Sequence, residues 1–281
     1  QEDGCPMAIA CIALDMDRTT LNGESRLSEG NRRALERAIG RGIHIVIASG
    51  RTFTSLPADV LAVPGLEYAI TSNGAAVYHI PTGQCLHRYL LTPRSVEQVI
   101  SLTAGEDVAL EGFIAGQAYA DHAYVADPAA YGADRMAVDY VQSTRRPEAD
   151  IAAFLRAHSH ELEGMDVVVR DGETKRRLWD RILREIPDLY VTSSIARLLE
   201  LSHRDSGKHA GLRFVMERLG LRREEVAAFG DGDNDKEMLA FAGTGIAMGN
   251  ATPDCKAAAD IVTKCNTEDG VAYGMEHFLH I

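Results

Sequence analysis

Short apolar runs alternate with helix-like segments at both ends of this chain, and this rhythm constrains its fold more than any other feature. Residues 8–14 (AIACIAL), 43–49 (IHIVIAS) and 68–72 (YAITS) are short and apolar, which is typical of strands buried on both faces. Helix-like segments separate them: NRRALERAIGRG after Ser28, and a stretch at about 52–61. Strands that alternate with helices at this spacing predict a parallel sheet with right-handed crossovers.

The last third of the chain repeats this rhythm. LRFVMERLG (212–220) has helical spacing, VAAFG (226–230) is a strand-like apolar run, and shorter strand and helix patterns follow to the end. We therefore expect residues 1–82 and 205–281 to build one open α/β sheet domain.

The middle of the chain has a different pattern. Residues 75–91 alternate around a Pro-Thr-Gly turn, which predicts a hairpin. Shorter strands follow, including one over HAYVAD (122–127), and they mix with helices. The predicted helices are 93–103, 148–158 and 174–184. An α+β insertion over residues 83–204 is the natural interpretation.

Charge and cysteine content restrict the partners. The chain of 281 residues has 29 basic and 41 acidic residues, a net charge of −12, which argues against nucleic acid or an anionic membrane as a partner. No apolar run is long enough to span a bilayer, and the N-terminal QEDGCPM lacks the pattern of a signal peptide. The 5 cysteines are scattered and form no C-x-x-C pair, so we expect reduced thiols and a cytoplasmic protein.

Acidic residues follow the first predicted strand. In DMDRTTL, Asp15 and Asp17 stand where an open α/β sheet binds ligands, beyond the carboxyl end of a strand. Two carboxylates there could bind Mg²⁺, and one could act as nucleophile while the other moves a proton. A lone D-x-D is more often an ordinary strand-end turn, so this motif needs support from the rest of the chain.

A second acidic group, FGDGDNDKEML, follows the strand-like run VAAFG. It fails as a calcium loop, because Lys236 stands where that loop needs glycine and Ala242 where it needs glutamate. Capping of a helix N-terminus accounts for Asn234 or Asp235 alone. It does not account for three aspartates beyond one buried strand, whose mutual repulsion calls for a cation.

Two weaker signals complete the set. Ser49 and Gly50 in IASGR end a predicted strand just before a helix, where a hydroxyl and free N–H groups suit a phosphate. Lys208 begins the helix that leads to the Asp231 strand, although a lone lysine is usually solvated. Three of the four motifs fall at strand carboxyl ends on one sheet edge.

Together these motifs resemble the haloacid dehalogenase superfamily, in particular its Cof-like sugar-phosphatase branch with a type IIB cap. The resemblance rests on DMDRTTLN, ASGR, SNGAAV, KHAGL, GDGDNDKEML, AMGNA and NTEDGV, in that order along the two ends of the chain. It implies a Rossmann-like, doubly wound core over 1–82 and 205–281 and an α+β cap domain over 83–204 that selects the substrate.

The resemblance also implies roles for single residues. Asp15 would be the nucleophile that forms an aspartyl-phosphate, and Asp17 the general acid and then base. Mg²⁺ would be held by the side chains of Asp15 and Asp231 and by the backbone carbonyl of Asp17, with Asp235 acting behind them or through water. The residues implied to hold the phosphate and substrate are Thr19, Ser49, Gly50, Arg51, Asn73, Lys208 and Asn234.

Two positions depart from the family pattern, because Arg18 and His209 stand where glycine is usual. We expect Arg18 to face solvent and His209 to be structural or exposed.

The expected activity is hydrolysis of a small phosphorylated metabolite, a sugar phosphate, by a monomer or homodimer. A phosphomutase of the same superfamily and a phospho-ligand-binding regulator without turnover remain the alternatives.

Overall fold

The computed structural model describes residues 8–281, so the N-terminal segment and Cys5 lie outside the described residues. In chain order the strands are β1 (Cys11–Leu14), β2 (His44–Ala48), β3 (Tyr68–Thr71), β4 (Ala76–His79), β5 (Gln84–Arg88), β6 (Val108–Ile114), β7 (Gln117–Asp121), β8 (Arg145–Glu148), β9 (Leu162–Val169), β10 (Leu189–Thr192), β11 (Leu198–His203), β12 (Val226–Gly230), β13 (Thr244–Ala247) and β14 (Ile261–Val262). The helices are α1 (Glu29–Gly40), α2 (Ala58–Leu61), α3 (Pro93–Thr103), α4 (His122–Ala126), α5 (Arg135–Thr144), α6 (Ile151–Ala157), α7 (Gly172–Glu185), α8 (Lys208–Leu219), α9 (Lys236–Phe241), α10 (Pro253–Ala258) and α11 (Gly270–His277).

The described chain divides into two compact units. The first contains residues 8–50, 56–87 and 207–281, and the second contains residues 51–55 and 88–206. The sequence placed the divisions after 82 and 204 and kept 51–55 with the first unit. The hairpin explains the first difference, because β5 pairs with β4 at the edge of the first unit's sheet.

An eight-stranded sheet forms the first unit, in the order β14-β13-β12-β1-β2-β3-β4-β5. Its strands from β14 to β3 are parallel, and β4 is antiparallel to β3. The chain moves outward from β1 on one side and from β12 on the other, so the direction of winding reverses between these two neighbours. Such a switch point is where open α/β sheets bind ligands. The predicted doubly wound parallel sheet is confirmed.

Local signals set the first unit's elements. β1 is buried along its whole length, as its continuous apolar run predicts. Ser28 caps α1, since its hydroxyl accepts a hydrogen bond from the N–H of Asn31 at 3.1 Å. The single helix predicted at 52–61 is wrong. Only α2 is an α-helix there, and it starts directly after Pro57.

A six-stranded sheet in the order β10-β11-β9-β6-β7-β8 forms the second unit. All its neighbouring strands are antiparallel except β7 and β8. Its largest apolar cluster joins β6 and β9 to α3, α6 and α7, which agrees with the predicted α+β pattern.

The strand predicted over HAYVAD is wrong, because these residues form the short helix α4. Asp121 ends β7 and its carboxylate accepts a hydrogen bond from the N–H of Ala123 at 2.7 Å, which starts the helix. The capping aspartate immediately before HAYVAD was the signal available in the sequence. Within residues 8–281 no helix is both long and apolar enough to cross a bilayer.

Candidate active site

Strand register brings the predicted site residues to one edge of the first sheet. Leu14 in β1 lies opposite Phe229 in β12 on one side and opposite Ile47 in β2 on the other. The three strands therefore end almost level. Asp15 and Asp231 follow two of these ends, and the N–H of Asp15 donates to the Phe229 carbonyl at 3.0 Å.

A buried lysine joins two carboxylates at this edge. The Nζ of Lys208 lies 2.6 Å from Oδ1 of Asp15 and 2.6 Å from Oδ1 of Asp235. Lys208 is 1% exposed, and burial alone would lower the pKa of its amine. The two carboxylates outweigh burial and raise the pKa of Lys208, so its amine stays a cation.

The second oxygen of Asp235 fixes the backbone of the acidic loop. Its Oδ2 accepts hydrogen bonds from the N–H groups of Asp231 and Gly232, each at 3.0 Å. Asp231 in turn accepts the hydroxyl of Thr19 on Oδ1 at 3.0 Å. These bonds tie the loop after β12 to the turn after β1.

Three carboxylates crowd around this one lysine. Asp15, Asp231 and Asp235 are all buried, and one oxygen of each lies within 4.8 Å of the others. Burial, and then the charge of Asp235, raises the pKa of Asp15 well above its usual range and that of Asp231 to about 6. One ammonium does not balance three carboxylates, and an all-oxygen donor set suits Mg²⁺. The triad can therefore hold a metal ion.

Asp17 is placed differently from the other acids. It lies in the tight turn Met16–Thr20, and its side chain is exposed, so the carboxyl is not part of the buried triad. The carbonyl of Asp15 anchors this turn by accepting the hydroxyl of Thr20 at 2.6 Å. The carboxyl of Asp17 is therefore exposed, two residues along the chain from the buried carboxyl of Asp15.

The predicted phosphate-binding residues of the first unit are linked to one another. Asn234 donates from Nδ2 to Oδ1 of Asn73 at 3.0 Å, and the N–H of Asn73 donates to the carbonyl of Ser49 at 3.1 Å. Ser49, Asn73 and Asn234 are buried, and Gly50 is half-buried. The hydroxyl of Thr19 is already bound to Asp231.

Arg51 belongs to the second unit rather than to the unit that carries these residues. Its guanidinium lies 4.6 Å from the ring centroid of Tyr140 and donates to the carbonyl of Ser55 at 3.2 Å. The motif IASGR thus divides between the two units after Gly50.

Three further asparagines support the turn after β1. Asn250 donates to the carbonyl of Arg18 at 2.9 Å, and Asn266 donates to the carbonyl of Leu21 at 2.8 Å. From α1, Asn31 donates to the carbonyl of Thr20 at 2.9 Å. Asn250 and Asn266 stand in AMGNA and NTEDGV, so the motifs were the available signal.

Arg18 and His209 are accommodated without loss of the local structure. Arg18 adopts a left-handed backbone with φ of 62°, and its exposed Nε lies 3.8 Å from Asp231 Oδ2. His209 is half-buried, which lowers the pKa of its ring, and α8 still begins at Lys208. The expected exposure of Arg18 is confirmed.

This fold and acidic site define a class of protein. The model of the haloacid dehalogenase-like hydrolase family matches residues 12–275, and the chain belongs to this family. It is a phosphatase, as its family and the names of its relatives indicate.

Individual relatives agree with this assignment. The chain is 31% identical to phosphatase YwpJ of Bacillus subtilis, over 95% of this chain and 99% of that protein. It is 29% identical to the 5-amino-6-(5-phospho-D-ribitylamino)uracil phosphatase YcsE of the same organism, over 96% of each chain. Among solved structures, a haloacid dehalogenase-like hydrolase from B. subtilis superposes with a TM-score of 0.82 at 29% identity, covering 96% of this chain and 100% of that one.

Proposed function

We propose that this protein is a Mg²⁺-dependent phosphomonoesterase that acts on a small phosphorylated metabolite through an aspartyl-phosphate on Asp15. The observation that carries this proposal is the buried triad of Asp15, Asp231 and Asp235 with Lys208 between two of its members. Three uncompensated carboxylates would repel a phosphate dianion, because each pair of unit charges repels by about 1 kcal/mol at 4 Å even in water.

The triad fits a divalent cation by its charge and its donors. Mg²⁺ would be held by the carboxylates of Asp15 and Asp231 and the carbonyl of Asp17, with Asp235 behind them. When bound, it would neutralise charge on the transferring phosphoryl group. Lys208, buried and cationic, supplies the protein's own positive charge at the same place.

The first step uses Asp15 and Asp17. Oδ1 of Asp15 accepts the hydrogen bond of Lys208 at 2.6 Å. We assign Oδ2 as the oxygen that attacks phosphorus while the bond from phosphorus to the leaving oxygen breaks. Asp17 donates its proton to the leaving oxygen, so the alcohol departs as a neutral molecule.

The second step returns the enzyme to its starting state. Asp17, now a carboxylate, takes a proton from a water molecule as that water attacks phosphorus. The bond between phosphorus and Asp15 breaks, which releases inorganic phosphate and the Asp15 carboxylate. Ser49, Lys208 and Asn234 hold the phosphoryl oxygens in both steps.

One relative with a named substrate supports a choice of substrate class. YcsE is named for a substrate whose phosphate is on a ribityl chain. We propose a sugar or polyol phosphate as the substrate of this chain.

We also propose a cytoplasmic monomer or homodimer that binds neither nucleic acid nor membrane, in keeping with its net charge of −12. Among the described residues, the cysteines that are not in disulfides are Cys11, Cys85, Cys255 and Cys265.

A panel of sugar and polyol phosphates, assayed for phosphate release with and without Mg²⁺, tests the proposal. We expect metal-dependent release from at least one compound, and none from Asp15→Asn. Recovery of an isomeric sugar phosphate in place of free phosphate would identify a mutase. Binding of the phosphorylated compounds without turnover would identify a regulator, and either result overturns the proposal.

A further inference from the structure

A left-handed turn follows β3 in the first unit. Ser72, Asn73 and Gly74 have φ values of 49°, 53° and 89° in succession. Positive φ is uncommon for residues with a β-carbon, so a pair of them next to a glycine needs support from the surrounding structure. Asn73 provides part of it, because its N–H donates to Ser49 and its side chain accepts from Asn234.

The third residue of this turn touches the start of the lysine helix. A β-carbon added to Gly74 would overlap the carbonyl group of Gly207 and lie 2.8 Å from the backbone nitrogen of Lys208. The obstacle is backbone rather than the end of a flexible side chain, so it has no rotamer by which to move away. Only glycine allows the two segments to come this close.

The carbonyl that Gly74 touches also begins the helix. Gly207 O accepts the N–H groups of Ala210 at 2.9 Å and Gly211 at 3.1 Å, which are the first helical hydrogen bonds of α8. Lys208 is the first residue of that helix. A displacement of the Gly207 carbonyl therefore moves the backbone from which the Lys208 side chain extends.

We propose that Gly74 is a positioning residue: its contact with Gly207 sets the start of α8 and so places the Lys208 ammonium between Asp15 and Asp235. The inference rests on the proposed function only for its effect on catalysis. The lysine makes two contacts of 2.6 Å at once, and a small shift of its backbone breaks at least one of them. Misplacement of about 1 Å at a catalytic site can cost a large factor in rate.

The test compares Gly74→Ala with Gly42→Ala. Gly42 has a similar φ of 80°, but a β-carbon there would meet nothing within 4 Å. The pair separates the strain of a left-handed alanine, which both variants share, from the collision with Gly207, which only one has. Cooperative thermal unfolding establishes that each variant is folded before it is assayed.

The first readout is the reactivity of the Lys208 amine, which needs no turnover. Brief acetylation by acetic anhydride, followed by peptide mass spectrometry, gives the labelling rate of Lys208 relative to Lys175 and Lys256. We expect this ratio to rise about tenfold in Gly74→Ala, as an amine loses its buried partners, and to stay near the parent value in Gly42→Ala. An unchanged ratio in Gly74→Ala, or an equal rise in both variants, would overturn the proposal.

The second readout is inhibition by inorganic phosphate, combined with kcat. In Gly74→Ala we expect the inhibition constant of phosphate to rise and kcat to fall, each by about tenfold. A merely smaller folded fraction would lower kcat and leave the inhibition constant unchanged, which would contradict a positioning role. A parent protein without phosphatase activity would refute the proposed function, while the labelling ratio would still decide the position of Lys208.

If Gly74→Ala does not unfold cooperatively, Gly207→Ala replaces it. A β-carbon on Gly207 would lie 2.5 Å from the ring of His209, and φ of 114° with ψ of 150° is strained for any residue other than glycine, so this variant disturbs the same junction from the Gly207 side. The labelling ratio of Lys208 is expected to rise again. If it equals that of Gly42→Ala, the proposal is wrong.

Discussion

The ammonium of Lys208 lies at 2.6 Å from both Asp15 and Asp235, although the three residues are far apart in the sequence. Asp15 follows the first strand of the unit, Lys208 begins α8, and Asp235 precedes α9. One cation thus connects the proposed nucleophile to the residue that shapes the acidic loop. The connection makes the stability of the fold and the charge of the site depend on the same atoms.

Replacing Lys208 with methionine should destabilise the protein as well as inactivate it. The change leaves Asp15 and Asp235 buried without their cation, and breaking a buried pair in this way typically costs about 3–5 kcal/mol. Protonation of the Asp15 carboxyl at low pH removes its unpaired buried charge. The loss in unfolding free energy should therefore be larger at about pH 8 than at about pH 5. Urea unfolding at both pH values measures this, and an equal loss would contradict the pairing.

Asp15→Asn should separate activity from stability. It removes the proposed nucleophile, and we expect phosphate release to fall by at least about a thousandfold. It also removes one charge from a triad in which burial and Asp235 raise the pKa of Asp15, so the metal-free variant should unfold at a higher temperature than the parent. Asn234→Ala, which removes a proposed phosphate contact and the hydrogen bond to Asn73, should lose far less activity. A metal-free Asp15→Asn that melts below the parent would argue against crowding.

Mg²⁺ should stabilise the parent against heat, and more strongly at about pH 8 than at about pH 5, because metal and protons compete for the triad. Burial and Asp235 raise the pKa of Asp231 to about 6, so its carboxyl is largely protonated at the lower pH. Asp231→Asn should abolish most of the shift in melting temperature.

Asp233→Asn is the matched control for that measurement. Asp233 lies in the same loop, but its carboxylate accepts the hydroxyl of Thr252 at 2.9 Å and is not part of the triad. We expect this variant to keep the response to Mg²⁺. An equal response in both variants, or in neither, would refute the assigned metal position.

Asp166→Asn should stabilise the protein at neutral pH. Asp166 lies in β9 opposite Glu111 and Glu200 on its two neighbouring strands, and burial, followed by the charges of those two residues, raises its pKa well above the usual range. The folded state then binds a proton more tightly than the unfolded state, so Asp166 lowers stability as pH rises above about 4.

Urea unfolding from about pH 4 to pH 8 should therefore show a gain for Asp166→Asn that grows with pH. Asp107→Asn, at an exposed position of the same unit, is the control and should give little or no gain. A gain that is constant over this range would show that the carboxyl of Asp166 stays ionised.

The sequence was sufficient for the parallel sheet and for its acidic edge. The buried apolar runs at β1, β2 and β12 predict strands. When these strands pair in parallel, their carboxyl ends lie at the same edge, which brings Asp15 near Asp231. Register between the strands was the only further requirement.

Other features depend on contacts that no local pattern encodes. The helix α4 arose where alternation suggested a strand, because a single capping carboxylate decided the backbone. The approach of Gly74 to Gly207 joins two distant segments through backbone atoms, and neither glycine differs in the sequence from one in an ordinary turn. Asp17 was predicted from its spacing to Asp15, but its exposure depends on the turn between them.

The central claim, that Asp15 carries the phosphoryl group, is tested most directly by trapping the intermediate. The protein is mixed with Mg²⁺ and a substrate from the sugar-phosphate panel, and the reaction is quenched with borohydride, which reduces an acyl phosphate to an alcohol. Peptide mass spectrometry should then find homoserine in place of Asp15, only when metal and substrate are both present. Phosphate release with an unmodified Asp15 in every quenched sample would contradict the account.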